Sequence, residues 1–176
     1  THAKADERFE RHFTMNSSCG VCGRAHLDDL RDRGVNRIDD ATTIDAALLA
    51  ALPDRMREAQ RIFSSTGGLH AAALFDERGA AMAVREDVGR HNAVDKIAGW
   101  ALLERRLPLE RCILMVSGRA SYEILQKSVA AGIPIVASVS APSSLAVALA
   151  REFGVTLAGF VRGSHANVYS ATQRIY

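Results

Sequence analysis

The hydrophobic rhythm of the chain changes at His70. Before it, apolar residues recur every three to four positions among polar ones; after it, short unbroken apolar runs alternate with amphipathic stretches. In the first part, residues 26–33 read as a short helix closed by Gly34. Thr42 and Thr43 cap a helix over 45–52, and Pro53 fits the first turn of a second helix running to about Phe63. Met56, Ala59, Gln60 and Phe63 mark its face imperfectly, and residues 64–68 read as a loop. Beyond that loop, 70–75 is an apolar strand, 76–79 a turn ending in glycine, and 80–85 the returning strand of a hairpin. Residues 92–105 form the clearest helix, with Val94, Ile97, Ala98, Ala101 and Leu102 as its apolar stripe. Trp100 lies off that stripe and is expected at the surface or in an interface. Three continuous apolar runs, 111–116, 134–139 and 155–161, have the pattern of strands covered on both faces. Helices over 121–131 and 144–153, stopped by Gly132 and Gly154, separate them, and 167–170 adds a short strand. A helical opening, a hairpin and then alternating elements predict an α/β fold, a three-layer mixed sheet with helices on both faces.

Composition narrows the class without naming it. The chain has 176 residues, 48% hydrophobic and 24% charged, enough for one sizeable core. A net charge of +2 argues against a non-specific nucleic-acid binder. No apolar run reaches the roughly 18 residues of a membrane span. Three cysteines, with no secretory signal read at Thr1, fit a reducing compartment, and the expectation is a cytoplasmic protein. The chain divides into a cysteine-bearing N-terminal segment, 1–40, and an α/β core, 41–176, and its start at Thr1 fits a fragment of a longer protein.

Two cysteines, Cys19 and Cys22, stand at C-x-x-C spacing among Ser17, Ser18, Gly20 and Gly23, with no apolar run to bury them. Structural zinc needs four ligands, and Cys112, His12 and His26 do not supply the usual spacing. A thioredoxin-like pair follows a strand, and no strand pattern precedes Cys19. A thiolate that carries sulfur as a persulfide, with a neighbouring cysteine able to resolve it, suits a glycine-rich loop that meets first a donor and then an acceptor. Two unpaired surface thiols are the plain alternative.

Polar residues gather after the strands, where open α/β sheets bind ligands. The stretches are 85–92, 117–121, 138–144 and 162–167, each mixing small residues with hydroxyls, amides or a cation. Helix N-termini together with Arg90, Arg119 and Arg162 predict a pocket for a phosphorylated, nucleotide-like ligand. Plainer readings stand beside this one. Ser143 and Ser144 read as helix caps, Asp87 as an ion-pair partner of Arg85 or Arg90, and His91 as a helical partner of Asp95. His70 and Cys112 read as core residues. The block from Arg85 to Lys96 carries more polar groups than a helix start needs.

Residues 17–23 (SSCGVCG), 85–96 (REDVGRHNAVDK) and 117–121 (SGRAS) strongly resemble the FdhD family of formate dehydrogenase accessory sulfurtransferases. The resemblance runs from about Arg11 to the C-terminus and implies a further N-terminal stretch of roughly a hundred residues in family members. It implies a cytidine deaminase-like core, although the deaminase zinc signature is absent. It also implies a homodimer that takes persulfide sulfur from a cysteine desulfurase on Cys19, with Cys22 assisting, and passes it to the molybdenum of bis(molybdopterin guanine dinucleotide) for formate dehydrogenase. The implied cofactor-binding residues are Arg90, His91, Asn92, Gly118, Arg119, Ser121, Ser138, Phe160, Val161, Arg162, Gly163, Ser164 and His165, with no permanent metal. The rival functions are a scaffold or chaperone without chemistry and a deaminase-like nucleotide-modifying enzyme using His91 and Asp87.

Overall fold

The structure, a computed structural model, describes residues 30–32 and 34–176. The expected helix over 26–33 lies mostly outside them; residues 30–32 are helical. The main helices are α1 (Ala46–Ala59), α3 (Arg90–Leu103), α4 (Tyr122–Ala130) and α5 (Ser144–Phe153), with a one-turn α2 (Phe63–Thr66). The strands are β1 (His70–Asp76), β2 (Ala81–Asp87), β3 (Cys112–Val116), β4 (Ile135–Ser138), β5 (Thr156–Arg162) and β6 (His165–Ser170). They form one six-stranded sheet in the order β2-β1-β3-β4-β5-β6. The central β3, β4 and β5 are parallel; β1 is antiparallel to β2 and β3, and β6 to β5.

Side-chain alternation splits the core into two layers. Ala72, Leu74, Leu114, Val116, Val136 and Leu157 point to the face covered by α3, α4 and α5. Ala71, Ala73, Phe75, Ile113, Met115 and Ile135 point to the other, covered by α1. Helices on both faces of a mixed sheet match the three-layer expectation.

Three details differ from the sequence reading. Pro53 does not start a second helix; α1 runs through it. An internal proline costs about 3 kcal/mol. Leu49, Leu52 and Met56 are fully buried on the same face, at about 1.5–3 kcal/mol each, which outweighs that cost. The loop over 64–68 contains α2, whose first free amides, Ile62 N and Phe63 N, donate to the Glu86 carboxylate at 3.0 and 2.7 Å. On α3 the buried line is Ala93, Val94, Ile97 and Ala101, whereas Leu102 is 65% exposed. The helix rests on β1 and β2 along a narrow i, i+4 ridge, which leaves Leu102 outside.

Candidate functional site

Topology brings the polar stretches to one end of the sheet. The C-terminal ends of β3, β4 and β5 define that end. β2 runs parallel to them across β1, so Asp87 arrives there too, while antiparallel β1 and β6 begin there with His70 and His165.

Backbone bonds tie the loops into a rim. Ala71 N donates to Ser117 Oγ at 2.9 Å, and Ser117 N to Ala71 O at 3.0 Å. Ala120 pairs with Pro142 in a β-bridge, Ser143 N donates to Ala120 O at 3.0 Å, and Phe160 N to Ser140 O at 3.2 Å. Gly159 is required by this closeness, because a Cβ there would sit 2.8 Å from Pro142 Cδ. Phe160 adopts a left-handed φ of 54° at a bulge between β5 and β6, and the Arg162 guanidinium lies 6.0 Å from its ring centroid.

The sequence-predicted residues fall into two groups on this rim. In the first, Gly118, Arg119 and Ser121 precede α4, and Arg90, His91 and Asn92 form the first turn of α3. A Cβ on Gly118 would lie 3.4 Å from His70 Nδ1 and 3.5 Å from Arg90 Cδ. His91 Nε2 is 3.0 Å from Ser121 Oγ and 3.7 Å from the Glu123 carboxylate. In the second, Phe160, Arg162, Gly163, Ser164 and His165 form the β5–β6 turn, with Ser164 Oγ 3.2 Å from His165 Nδ1. The β4–α5 loop links the two groups. Ser138 and Val161 are buried, and the Ser138 hydroxyl donates to Ser140 O at 2.7 Å, so both shape the rim from below. Cys19 and Cys22 lie outside the described residues.

Three local readings change. His91 pairs with Ser121 on α4 rather than with Asp95. Asp87 pairs with Lys96 at 2.6 Å and accepts from Gly89 N and Asn92 Nδ2, which secures the start of α3. The Lys96 bond, then those from Gly89 and Asn92, hold its carboxyl down at about 2. Ser143 does cap α5, accepting from Ala146 N at 3.2 Å. His70 is half-buried at the rim, not in the core. The signal lay in the topology: an antiparallel strand beside β3 must start where β3 ends. His70 and Ser117 also border a cavity of about 330 Å³ beside Met56 and Gln60 of α1.

The electrostatics favour an anion. Arg90, Arg119 and Arg162 donate no hydrogen bond to a described residue, and Arg90 Nε is shut off from solvent without an acceptor. Burial, then the charge of Arg90, lowers the His91 pKa, so the ring is neutral at pH 7. Burial raises the Glu123 carboxyl, but its own backbone N–H and the Ser121 hydroxyl bring it below its ordinary value. The Ser121 hydroxyl can bridge His91 Nε2 and the Glu123 carboxylate, with the tautomer of the ring deciding which partner donates in the His91–Ser121 bond. Arg90, with its Nε buried and unpaired, and the exposed guanidinium groups of Arg119 and Arg162 share the rim with helix N-termini, a setting suited to phosphate oxygens.

The opposite end of the sheet holds a larger cavity, about 900 Å³, beside residues 34–43 and Arg111. Its charges are consumed internally. Asp40 accepts from Thr42 N at 2.6 Å, from Thr42 Oγ1 and from Arg111 N at 3.0 Å, while Arg111 also grips Glu77. Buried Arg174 donates to Asp40 O at 2.9 Å and Gly154 O at 2.7 Å. Arg37 donates to Glu152 O at 3.0 Å.

Fold and site together define an α/β protein with a rim of arginines and helix N-termini at its parallel strand ends. The chain belongs to the FdhD/NarQ family, whose sequence profile matches residues 1–176. It is 58% identical over 172 residues to the sulfur carrier protein FdhD of Streptomyces avermitilis, covering 97% of this chain and 61% of that one. It is 47% identical over 166 residues to the sulfur carrier protein FdhD of Saccharolobus solfataricus, covering 94% and 63%. A crystal structure of a candidate formate dehydrogenase accessory protein from Desulfotalea psychrophila superposes with a TM-score of 0.74 at 29% identity, covering 87% of this chain and 62% of that one. The chain thus spans about three fifths of the length of these relatives.

Proposed function

We propose that this chain is the sulfur-carrying part of a sulfurtransferase that matures formate dehydrogenase. The observation that carries the proposal is the 58% identity, over 97% of the chain, to a protein named as a sulfur carrier. The Cys19 thiolate attacks the outer sulfur of a persulfide on a cysteine desulfurase. An S–S bond forms to Cys19, the donor's S–S bond breaks, and the donor leaves as a thiolate. Cys22 as a thiolate then attacks the inner sulfur and expels the outer one as hydrosulfide, the two electrons that reduce it coming from the Cys19 and Cys22 sulfurs, which are left as a disulfide; a cellular dithiol restores the pair.

The acceptor in this reading is molybdenum in bis(molybdopterin guanine dinucleotide), bound transiently as cargo and never as a resident cofactor. Its guanosine diphosphate arms suit a rim with free guanidinium groups and helix amides. Arg119 at α4 and Arg162 with Gly163 at the β5–β6 turn take phosphate oxygens, and Arg90, His91 and Asn92 flank the first of these. The protein works in the cytoplasm as a homodimer, with the desulfurase and formate dehydrogenase as successive partners. Among the described residues no three His, Cys, Asp or Glu side chains converge on a metal position, so the deaminase-like alternative has no zinc ligand set there.

The deciding experiment is intact-protein and peptide mass spectrometry after incubation with a cysteine desulfurase and cysteine. The expected result is one added sulfur atom on the peptide containing Cys19, removable by dithiothreitol. An unmodified peptide, with the desulfurase demonstrably charged, would leave the scaffold reading in place of this one.

A further inference from the structure

The cavity on the α1 side of the rim has a lining that packing does not explain. It is about 330 Å³ in volume and lies by the start of β1 at His70 and the end of β3 at Ser117, with Met56, Gln60 and Phe63 among its walls. Gln60 stands just past α1 and is only 5% exposed. Its main chain is satisfied: the N–H donates to Arg57 O at 3.1 Å, and the carbonyl accepts from Ser64 Oγ at 2.7 Å. Its carboxamide is not. No described residue bonds to that group, yet neither of its polar atoms is sealed away as Arg90 Nε is, so the amide opens into the cavity. A polar group held this deep without a partner destabilises the fold unless something in the cavity completes it.

We infer that this cavity holds a flat nitrogen heterocycle by its lactam edge, a ring N–H beside a ring carbonyl as in guanine, and that Gln60 reads that edge. The inference rests on the guanosine diphosphate reading given above and names the place of its base. A carboxamide sets an acceptor and a donor side by side: Oε1 accepts from the ring N–H, and Nε2 donates to the ring carbonyl. Phe63 supplies an aromatic face and Met56 a polarisable sulfur for the ring. The volume, at the small end of ligand pockets, suits a bicyclic base, and the phosphates then reach out to the rim. Their place is close by. Ser117 leads through Gly118 into Arg119, and a Cβ on Gly118 would lie 3.4 Å from His70 Nδ1 and 3.5 Å from Arg90 Cδ. Gly118 thus sits between the mouth of the cavity and the Arg90 side chain. The pterin end of the same cargo carries a lactam edge of the same kind, so the chemistry of the cavity suits either ring.

Calorimetry with guanosine diphosphate, 6-hydroxymethylpterin and inorganic pyrophosphate tests the inference on the wild-type chain, Gln60→Leu and Phe63→Leu. Gln60→Leu keeps most of the side-chain bulk and the main-chain bonds but removes the amide. With guanine as the occupant, guanosine diphosphate should bind at least tenfold more weakly to Gln60→Leu and about fivefold more weakly to Phe63→Leu. Pyrophosphate affinity and the circular dichroism spectrum should stay unchanged, because the rim is intact. A loss confined to 6-hydroxymethylpterin supports the lactam cavity and gives it to the pterin end. Should Gln60→Leu lose pyrophosphate as well, Phe63→Leu decides by the same comparison. Affinities for both rings within twofold of wild type, or a wild-type chain that binds neither ring, overturn the inference. Persulfide loading of Cys19 on the same samples reports on the carrier reading separately: an unloaded Cys19 beside intact ring binding sinks the carrier alone.

Discussion

The two ends of the sheet use arginine in opposite ways. At the end near residues 34–43, Arg37, Arg111 and Arg174 are each bound to a carbonyl or carboxylate, and the large cavity there is walled by satisfied charges. At the parallel strand ends, Arg90, Arg119 and Arg162 have no acceptor among the described residues. Cavity size alone would favour the first end. Charge satisfaction favours the second, because a cation kept without a protein partner has its binding capacity left for a ligand. The first end serves the fold, and the second is the one the proposed anion would use.

The largest effect expected is on chemistry. Replacing Cys19 by Ala should abolish sulfur loading and formate dehydrogenase maturation while leaving guanosine diphosphate affinity unchanged; normal maturation by this variant would remove the persulfide from the reading. Next come the two ends themselves. Arg119→Ala and Arg162→Ala should each weaken guanosine diphosphate binding by about 1.5–3 kcal/mol in calorimetry, the value of a hydrogen bond to a charged group. Arg37→Ala should not change it, and equal losses at both ends would erase the contrast.

A smaller effect separates the ends by stability. Asp40→Ala should destabilise the fold by about 1–2 kcal/mol in urea unfolding, discounted because the carboxylate is partly open to water, with ligand affinity intact. Burial raises the Asp40 carboxyl, but the bonds from Thr42 and Arg111 bring its pKa below the ordinary value. Its stabilisation is therefore present above the ordinary carboxylate range and is lost as pH falls through the lowered folded value.

The smallest expected effect is a titration. The folded His91 pKa is depressed by burial and by Arg90, so protonation of the unfolded chain costs stability as pH falls from the ordinary histidine range to the folded value. A bound phosphate beside Arg90 should raise that pKa, seen by NMR as an upward shift of the His91 midpoint on adding guanosine diphosphate. A midpoint unmoved at saturation would place the phosphate elsewhere.

Much of this was legible in the sequence because period and punctuation agreed. The apolar runs at 111–116, 134–139 and 155–161 became β3, β4 and β5, and Ser143 and Gly154 bounded α5 as their residue types predict. The reading failed where tertiary burial overruled a local rule. Pro53 is a stop signal only until the face it interrupts is needed against the sheet. His70 looked apolar by its neighbours in sequence, whereas its position follows from β1 being antiparallel to β3. The rim residues were found by strand-end logic, but their pairing, His91 with Ser121 and Asp87 with Lys96, crosses elements and has no local signature.

The rim described above is a closed run of bonded loops: Ala71 to Ser117, Ala120 to Pro142 and Ser143, Ser140 to Phe160. Its thermodynamic consequence is that these loops have already surrendered their conformational freedom on folding. A ligand that settles on them need order little more than its own phosphates and a few arginine side chains, so affinity is not spent on arranging the backbone. Binding should then show a small heat-capacity change, and its entropy should be set by the release of water and ions rather than by the freezing of loops.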